Sequence, residues 1–287
     1  MKVLVLGGEG MAGHVIVDYV CETREHVDLV YTVRGQPRDS RARTLNGIDK
    51  TAVYDCLRAC QPDVIINAVG MLNDHAAQQL TDAIYVNSLL PHWLADYGDM
   101  HGARVIHIST DCVFSGNEGH YSETAVKDGT SAYAKTKSLG EFVRQNHLVI
   151  RTSIVGPELK RNGIGLFHWL MRQTGTIQGF RRVFWNGVTT LTLARIIEQE
   201  LQSDLSGLVH LTGTSAVSKY DLLCVMASVF EKDDVAIQPT DEVFSDKTLV
   251  NTRADFAPVV QDYPAMFQDL RQWMRQHQAR YQALYRF

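Results

Sequence analysis

The sequence predicts an α/β fold built on a doubly wound parallel sheet, and three observations carry that prediction. Short apolar runs alternate with segments of helical periodicity through the first half of the chain, which argues strands joined by right-handed helical crossovers. The first run passes at once into a glycine-rich turn and then a helix. Hydroxyl and amide side chains follow the later runs, at the edge where open sheets of this kind bind ligands.

Residues 3–6 form a short apolar run that reads as a buried strand, and Gly7-Gly8-Glu9-Gly10-Met11-Ala12-Gly13 follows without a break. From Met11 onward Val15, Ile16, Tyr19 and Val20 recur at helical spacing. Strand, glycine turn and helix in succession is the setting of a dinucleotide fingerprint, which makes the sheet one of Rossmann type. Two registers fit, Gly8-x-Gly10-x-x-Gly13 and Gly7-x-x-Gly10-x-x-Gly13, and they share Gly10 and Gly13. Such glycines allow a tight turn, close approach to a pyrophosphate and helix-on-strand packing, while the helix N-terminus adds donors and partial positive charge. The bland alternative is a glycine turn that holds no ligand.

Residues 27–33 read as the second strand. NAD-binding versions end this strand in a carboxylate, about 20 residues beyond the glycines, that takes the ribose 2′-hydroxyl. Here the place holds Arg34, with Arg38 close behind and no carboxylate before Asp39. A guanidinium suits a 2′-phosphate, so NADP(H) is expected rather than NAD(H); a solvated loop arginine is the alternative. Residues 52–60 read as a helix, Gln61-Pro62-Asp63 as a turn, and residues 64–67 as a third strand. That strand ends in Asn67-Ala68-Val69-Gly70, small residues where a backbone passes close to something flat. Residues 81–97 read as a longer helix carrying Asn87 on an otherwise apolar face, where a satisfied core amide is the ordinary explanation.

The fourth strand, residues 105–108, leads into the stretch that carries the chemistry. Ser109 and Thr110 stand at its end, and Tyr133 and Lys137 lie four apart on the helical pattern that follows, so they share one helix face. A phenol beside an ammonium is a candidate general acid, because the positive charge favours the phenolate and draws its pKa toward working pH. A hydroxyl at Thr110 could bond the same substrate oxygen that Tyr133 protonates. Alone, Tyr-x-x-x-Lys is a weak signal, since the same spacing occurs on exposed helix faces. Residues 148–151 form a fifth strand that continues into Thr152-Ser153-Ile154-Val155-Gly156-Pro157.

Beyond residue 156 the rhythm changes. Residues 166–173, 191–201, 219–230 and 265–285 read as helices, and residues 209–212 as a returning strand. The expected division is a dinucleotide-binding domain over residues 1–156, carrying the catalytic residues, and a smaller C-terminal α/β substrate-binding region over residues 157–287. No long linker separates them, so they share an interface, and a cleft there is the default substrate site.

Composition narrows the class. Of the 287 residues 45% are hydrophobic and 21% charged, the balance of an ordinary globular protein. A formal net charge of −4 without a basic run gives no pointer to nucleic acid or membrane. No apolar stretch approaches the ~18 residues of a membrane span, and the apolar N-terminus is too short for a signal peptide. The five cysteines are scattered; only Cys56 and Cys60 are close, which makes a poor zinc site. Reduced thiols, a cytoplasmic setting and no metal are expected.

Taken together, these pieces resemble the extended short-chain dehydrogenase/reductases, and within them the dTDP-4-dehydrorhamnose reductase group. The markers are Gly7-x-x-Gly10-x-x-Gly13, Asn67-Ala68-Val69-Gly70, Ser109-Thr110-Asp111, Val113-Phe114-Ser115-Gly116, Tyr133-x-x-x-Lys137 with Gly140-Glu141, and Arg151-Thr152-Ser153. They run in order to about residue 190. The resemblance implies Thr110, Tyr133 and Lys137 as the catalytic set, with Lys137 also holding the nicotinamide ribose. It implies a cofactor contact for Gly7, Gly10, Met11, Gly13, Arg34, Asn67, Ala68, Val69, Gly70, Ser109 and Tyr133. Asp111, Val113, Phe114, Ile154 and Thr189 would border the substrate. Three places depart from the pattern: Cys112 stands where an aromatic residue often follows Thr-Asp, Ile154 where a tryptophan often follows Arg-Thr-Ser, and Gly187-Val188-Thr189-Thr190 where Gly-x-Pro-Thr is usual. These leave the chemistry intact and the identity of the sugar open.

What the resemblance implies is NADPH-dependent reduction of the 4-keto group of a nucleotide-linked 6-deoxyhexose, with the nucleotide sugar as partner and a homodimer compatible. A 4,6-dehydratase or 4-epimerase on the same scaffold is one alternative. Related dehydratases resemble Thr-Asp-Glu where this chain has Thr110-Asp111-Cys112, so the added acid/base is missing, and their retained NAD fits poorly with Arg34. A non-catalytic NADP-binding regulatory subunit is the other; the intact Tyr133 and Lys137 argue against it.

Overall fold

The computed structural model describes residues 1–285. Its first half runs β1 (Lys2–Leu6), α1 (Gly13–Thr23), β2 (Asp28–Val33), β3 (Ala42–Thr44), α2 (Lys50–Cys60), β4 (Val64–Asn67), α3 (Asn73–Gln78), α4 (Leu80–Ala83), a π-helical turn (Ile84–Leu89), α5 (Leu90–His101), β5 (Arg104–Thr110), α6 (Ala132–Leu139) and β6 (Leu148–Thr152). The second half runs β7 (Ile154–Val155), α7 (Leu166–Met171), β8 (Gly175–Phe180), β9 (Val183–Trp185), β10 (Val188–Thr189), α8 (Thr190–Glu200), β11 (Gly207–His210), β12 (Val217–Ser218), α9 (Lys219–Val229), β13 (Val235–Thr240), β14 (Ser245–Asp246), α10 (Tyr263–Gln276) and α11 (Gln278–Tyr281).

Seven strands form the main sheet in the order β11-β6-β5-β4-β1-β2-β3, and every pairing in it is parallel. Central parallel strands are covered on both faces and so are apolar throughout. β1 shows this: Val3 and Val5 pack with Val15, Ile16 and Leu193 on one side, while Leu4 and Leu6 pack with Val53, Leu57 and Leu94 on the other. The strand order reverses between β1 and β4, which sets a crevice at the carboxyl ends of these strands. The helices that frame it are capped by their sequence: Ser131 accepts from Ala134 N at the start of α6, and Thr189 accepts from Thr192 N at the start of α8.

The second half does not stand apart. β11 adds to the main sheet beside β6, and residues of α8 and α10 belong to the same core as β1 and α1. The chain from residue 157 onward also builds small sheets of its own, β13 with β8 and β12 with β9 and β14. These short strands and β3 escape a reading of hydrophobic periodicity. Residues 81–97, predicted as one helix, are instead broken by the π-helical turn between α4 and α5. The extra residue there turns Asn87 inward, where its Nδ2 donates to Met71 O and Thr136 Oγ1 and its Oδ1 accepts from Met71 N. Asn87 thus ties α6 to the chain after β4. The terminal helix is also shorter than residues 265–285, ending at Tyr281 after a break at His277.

Candidate active site

The glycine turn is held in one conformation. Gly7 sits at φ +82°, in the left-handed region that glycine alone enters without strain. Gly10 N donates to Gly7 O at 2.9 Å, and a Cβ on Gly13 would collide with that same carbonyl. Gly7 N donates to Thr32 Oγ1 and Gly8 N to Thr32 O, which pins the turn to β2. Gly10, Met11 and Ala12 then face a cavity of about 340 Å³, of the size that small-molecule sites occupy.

The carboxyl ends of three strands close the other sides. Ala68, Val69 and Gly70 follow β4, Ser109 and Thr110 end β5 and lead into Asp111 and Cys112, and Thr152 ends β6 and leads into Ser153 and Ile154. Tyr133 and Lys137 reach the cavity from α6. Thr110 Oγ1 accepts from Cys112 N at 3.1 Å and donates to Asp111 Oδ1 at 3.2 Å. Lys137 Nζ donates to Ile108 O at 2.8 Å and lies 3.4 Å from His107 Nε2. Behind them Arg151 grips Glu141 through two bonds, while Ser109 Oγ donates to Glu141 Oε1 at 2.6 Å.

The electrostatics correct one expectation. Burial pushes the Tyr133 phenol well above its ordinary range, Cys112 and Asp111 add to this, and a hydrogen bond with Thr110 opposes it. The ammonium of Lys137 does not draw the phenol down, because its Nζ points back to the β5 backbone. Burial lowers Lys137 to about 8, with Glu141 opposing. Lys219, at the start of α9, is likewise lowered to about 8 by burial, against Asp111 and Cys112; its ammonium lies over the Trp185 ring at 5.1 Å.

The sequence-predicted residues divide. Gly10, Met11, Ala68, Val69, Gly70, Ser109, Thr110, Asp111, Tyr133, Lys137 and Ile154 all line the cavity. Gly7 and Gly13 shape it from behind. Asn67 does not line it: its side chain is fully buried and spans Val69 N and His107. Val113 and Phe114 pack with Tyr121 and Leu249 in a separate small cluster and do not line the cavity. Thr189 is spent as the cap of α8. Arg34 is exposed just past β2, outside the lining, and the neighbouring Arg38 lies 6.0 Å over the Tyr31 ring. Sequence reasoning missed Glu9, Leu72, Asn73 and the segment from Glu158 to Gly165, whose Glu158 Oε1 accepts from Gly165 N at 2.6 Å. That segment carries no signal beyond its glycines. Among the described residues no His, Cys, Asp and Glu side chains group into a metal-binding cluster, and no helix is long and apolar enough to cross a membrane.

A parallel Rossmann sheet with the glycine turn, a Thr110 hydroxyl and a Tyr133–Lys137 helix around one crevice defines an extended short-chain dehydrogenase/reductase scaffold. The family model described as the RmlD substrate binding domain matches residues 1–254, and the chain belongs to that family. A dTDP-4-dehydrorhamnose reductase of Aggregatibacter actinomycetemcomitans is 26% identical over 230 residues, 76% of this chain and 74% of the relative. The methionine adenosyltransferase 2 subunit beta of Xenopus tropicalis is 24% identical over 265 residues, 84% of this chain and 76% of the relative. In fold, the dTDP-4-dehydrorhamnose reductase of Bacillus anthracis, solved in complex with NADP, superposes with a TM-score of 0.81 at 17% identity, covering 95% of this chain and 99% of that one.

Proposed function

We propose that the protein uses NADPH to reduce the 4-keto group of a nucleotide-linked 6-deoxyhexose. The observation that carries this reading is the meeting of Thr110, Tyr133 and Lys137 in the cavity that the glycine turn enters. The turn fits a dinucleotide, since the space beside Gly7 O that a side chain on Gly13 would fill is kept open, and Arg34 is free to meet a 2′-phosphate. NADPH supplies the hydride when bound. Tyr133 gives its phenolic proton to the oxygen at C4, and Thr110 fixes the direction of that oxygen. Burial keeps Tyr133 protonated until charge develops on the substrate, which suits an acid. Lys137 sits one turn along α6 and would hold the nicotinamide ribose. The relative from A. actinomycetemcomitans, named for this reaction, supports the reading, as does the NADP bound to the B. anthracis protein. The reaction would belong to deoxysugar and polysaccharide biosynthesis in the cytoplasm.

The second reading is a binding subunit without turnover. It draws on the X. tropicalis relative, whose match spans more of this chain than the reductase match does. NADPH oxidation measured across a panel of nucleotide 4-ketosugars, with NADPH affinity measured in parallel, separates the two. Consumption with any member supports the reductase, and binding without consumption supports the subunit. Light scattering on the same preparation reads whether the chain forms a homodimer.

A further inference from the structure

The segment from Glu158 to Gly165 lines the same cavity as Gly10, Met11 and Ala12. It also touches the glycine turn, since a Cβ on Gly165 would stand 3.0 Å from Met11 Sδ. The segment is a loop closed on itself. Glu158 Oε1 accepts from Gly165 N at 2.6 Å, and Gly163 N donates to Lys160 O at 3.2 Å. The Glu158 carboxylate fills the inside of the loop, where a Cβ on Gly163 would meet its carboxyl carbon at 2.6 Å. Lys160, Arg161 and Asn162 form the exposed tip.

This loop is tied down from far along the chain. Tyr285, buried beside Phe167, accepts from Glu158 N at 2.9 Å and lies 2.7 Å from His168 Nδ1. His168 Nε2 donates to Arg161 O at 3.2 Å, an oxygen that Arg172 also reaches. One buried Tyr–His couple therefore fixes the loop at residue 158 and again at residue 161. The tie uses backbone groups and leaves the side chain of Lys160 free. Among the described residues two basic side chains line the cavity, Lys137 and Lys160. Lys137 Nζ is spent on Ile108 O, whereas Lys160 is exposed. Ile164, apolar yet 47% exposed, lines the cavity beside it and offers surface for a ligand to cover.

We propose that residues 158–165 cap the bound dinucleotide, with Lys160 as the cation that meets its pyrophosphate and Tyr285 as the positioning residue that holds the cap. The pyrophosphate of a dinucleotide lies at the N-terminus of the helix that follows the glycine turn. That is the part of the cavity the loop touches. The first turn of α1 supplies backbone donors and partial charge there, and Lys160 adds a full one. An ammonium on a flexible stem meets phosphate as a point charge and needs no fixed geometry. The cap rests on the dinucleotide of the reductase reading; the tie through Tyr285 does not.

Calorimetric titration with NADPH, NADH and 2′-AMP tests the cation. Lys160→Ala should weaken NADPH and NADH alike, by about tenfold or more, because the two share the pyrophosphate. 2′-AMP has none and should bind both proteins equally. Trypsin, which cleaves after Lys160 and Arg161, tests the tie. Tyr285→Phe keeps the buried ring and removes the hydroxyl. It should speed cleavage at these two bonds relative to the rest of the chain, and it should weaken both dinucleotides. NADPH should slow the same cleavage in the wild type. Unchanged affinities in Lys160→Ala, loss of NADPH binding alone, or an equal loss of 2′-AMP would overturn the pyrophosphate contact. Unchanged cleavage in Tyr285→Phe would overturn its positioning role. A wild type that binds neither dinucleotide takes down the reductase reading and the cap with it, whereas failure of the variants alone leaves that reading standing.

Discussion

Arg151 on β6 and Glu141, just past α6, form a two-pronged pair, Nε to Oε1 at 2.9 Å and Nη2 to Oε2 at 2.7 Å, with both side chains almost wholly removed from solvent. The pair joins the sheet to the segment that follows the catalytic helix. Burial favours a neutral Glu141, but Arg151, Ser109 and Lys127 overcome this and hold its carboxyl below the usual range. Removing one partner strands the other charge. Arg151→Met is therefore expected to lower stability by about 3–5 kcal/mol, measured by urea unfolding. A loss under 1 kcal/mol would mean that solvent reaches the pair.

The same arginine sets the acid response. Its Nη1 lies 2.7 Å from His210 Nε2, which must accept, so His210 Nδ1 donates to Val250 O at 2.9 Å. Burial and then Arg151 lower His210 to about 4, and burial lowers His14 to about 3. Both folded values lie below the ordinary 6.5, so the folded protein binds fewer protons than the unfolded chain between them. The stability involved is fully present above pH ~6.5 and is lost as pH falls toward 4. For His210 the shift corresponds to something on the order of 3 kcal/mol. Unfolding midpoints should fall between pH 7 and pH 5, and His210→Gln should flatten that slope while costing stability at pH 7. An unchanged slope in His210→Gln would show that His210 does not drive it.

Cofactor choice turns on Arg34, exposed beyond β2. Loss of a charge-assisted contact worth about 1.5–3 kcal/mol should weaken NADPH binding about ten- to a hundredfold in Arg34→Ala, with NADH little affected. Fluorescence titration of both cofactors reads this. Equal wild-type affinities would remove Arg34 from the selection.

Much of the sheet was legible because central parallel strands need only be apolar, as at residues 3–6, 64–67 and 148–151. The small strands were not. β8 is bounded by Gly175 and holds Gly179, and β13 carries Pro239; each alternates without a strong apolar face, and each becomes a strand only by meeting the other. In the site, hydroxyls and glycines at strand ends announced themselves by position. That Val113 and Phe114 pack in a cluster of their own, and that the Thr189 hydroxyl caps α8, was not legible, because neither packing nor capping is marked by the family motifs. The reversed electrostatics of Tyr133 depended on where Lys137 Nζ points, which spacing along a helix does not determine. Lys219 and Trp185 come to Asp111 and Ser153 from far along the chain, through contacts that only the folded sheet creates.

Hydride transfer in a single turnover, compared between wild type and Tyr133→Phe at saturating NADPH with the ketosugar found to be consumed, tests the central assignment most directly. The substitution keeps the buried ring and removes only the hydroxyl, so cofactor affinity should hold while the rate falls by roughly 10²–10⁴, the usual contribution of a placed general acid. Equal rates in the two proteins would contradict the role given to Tyr133.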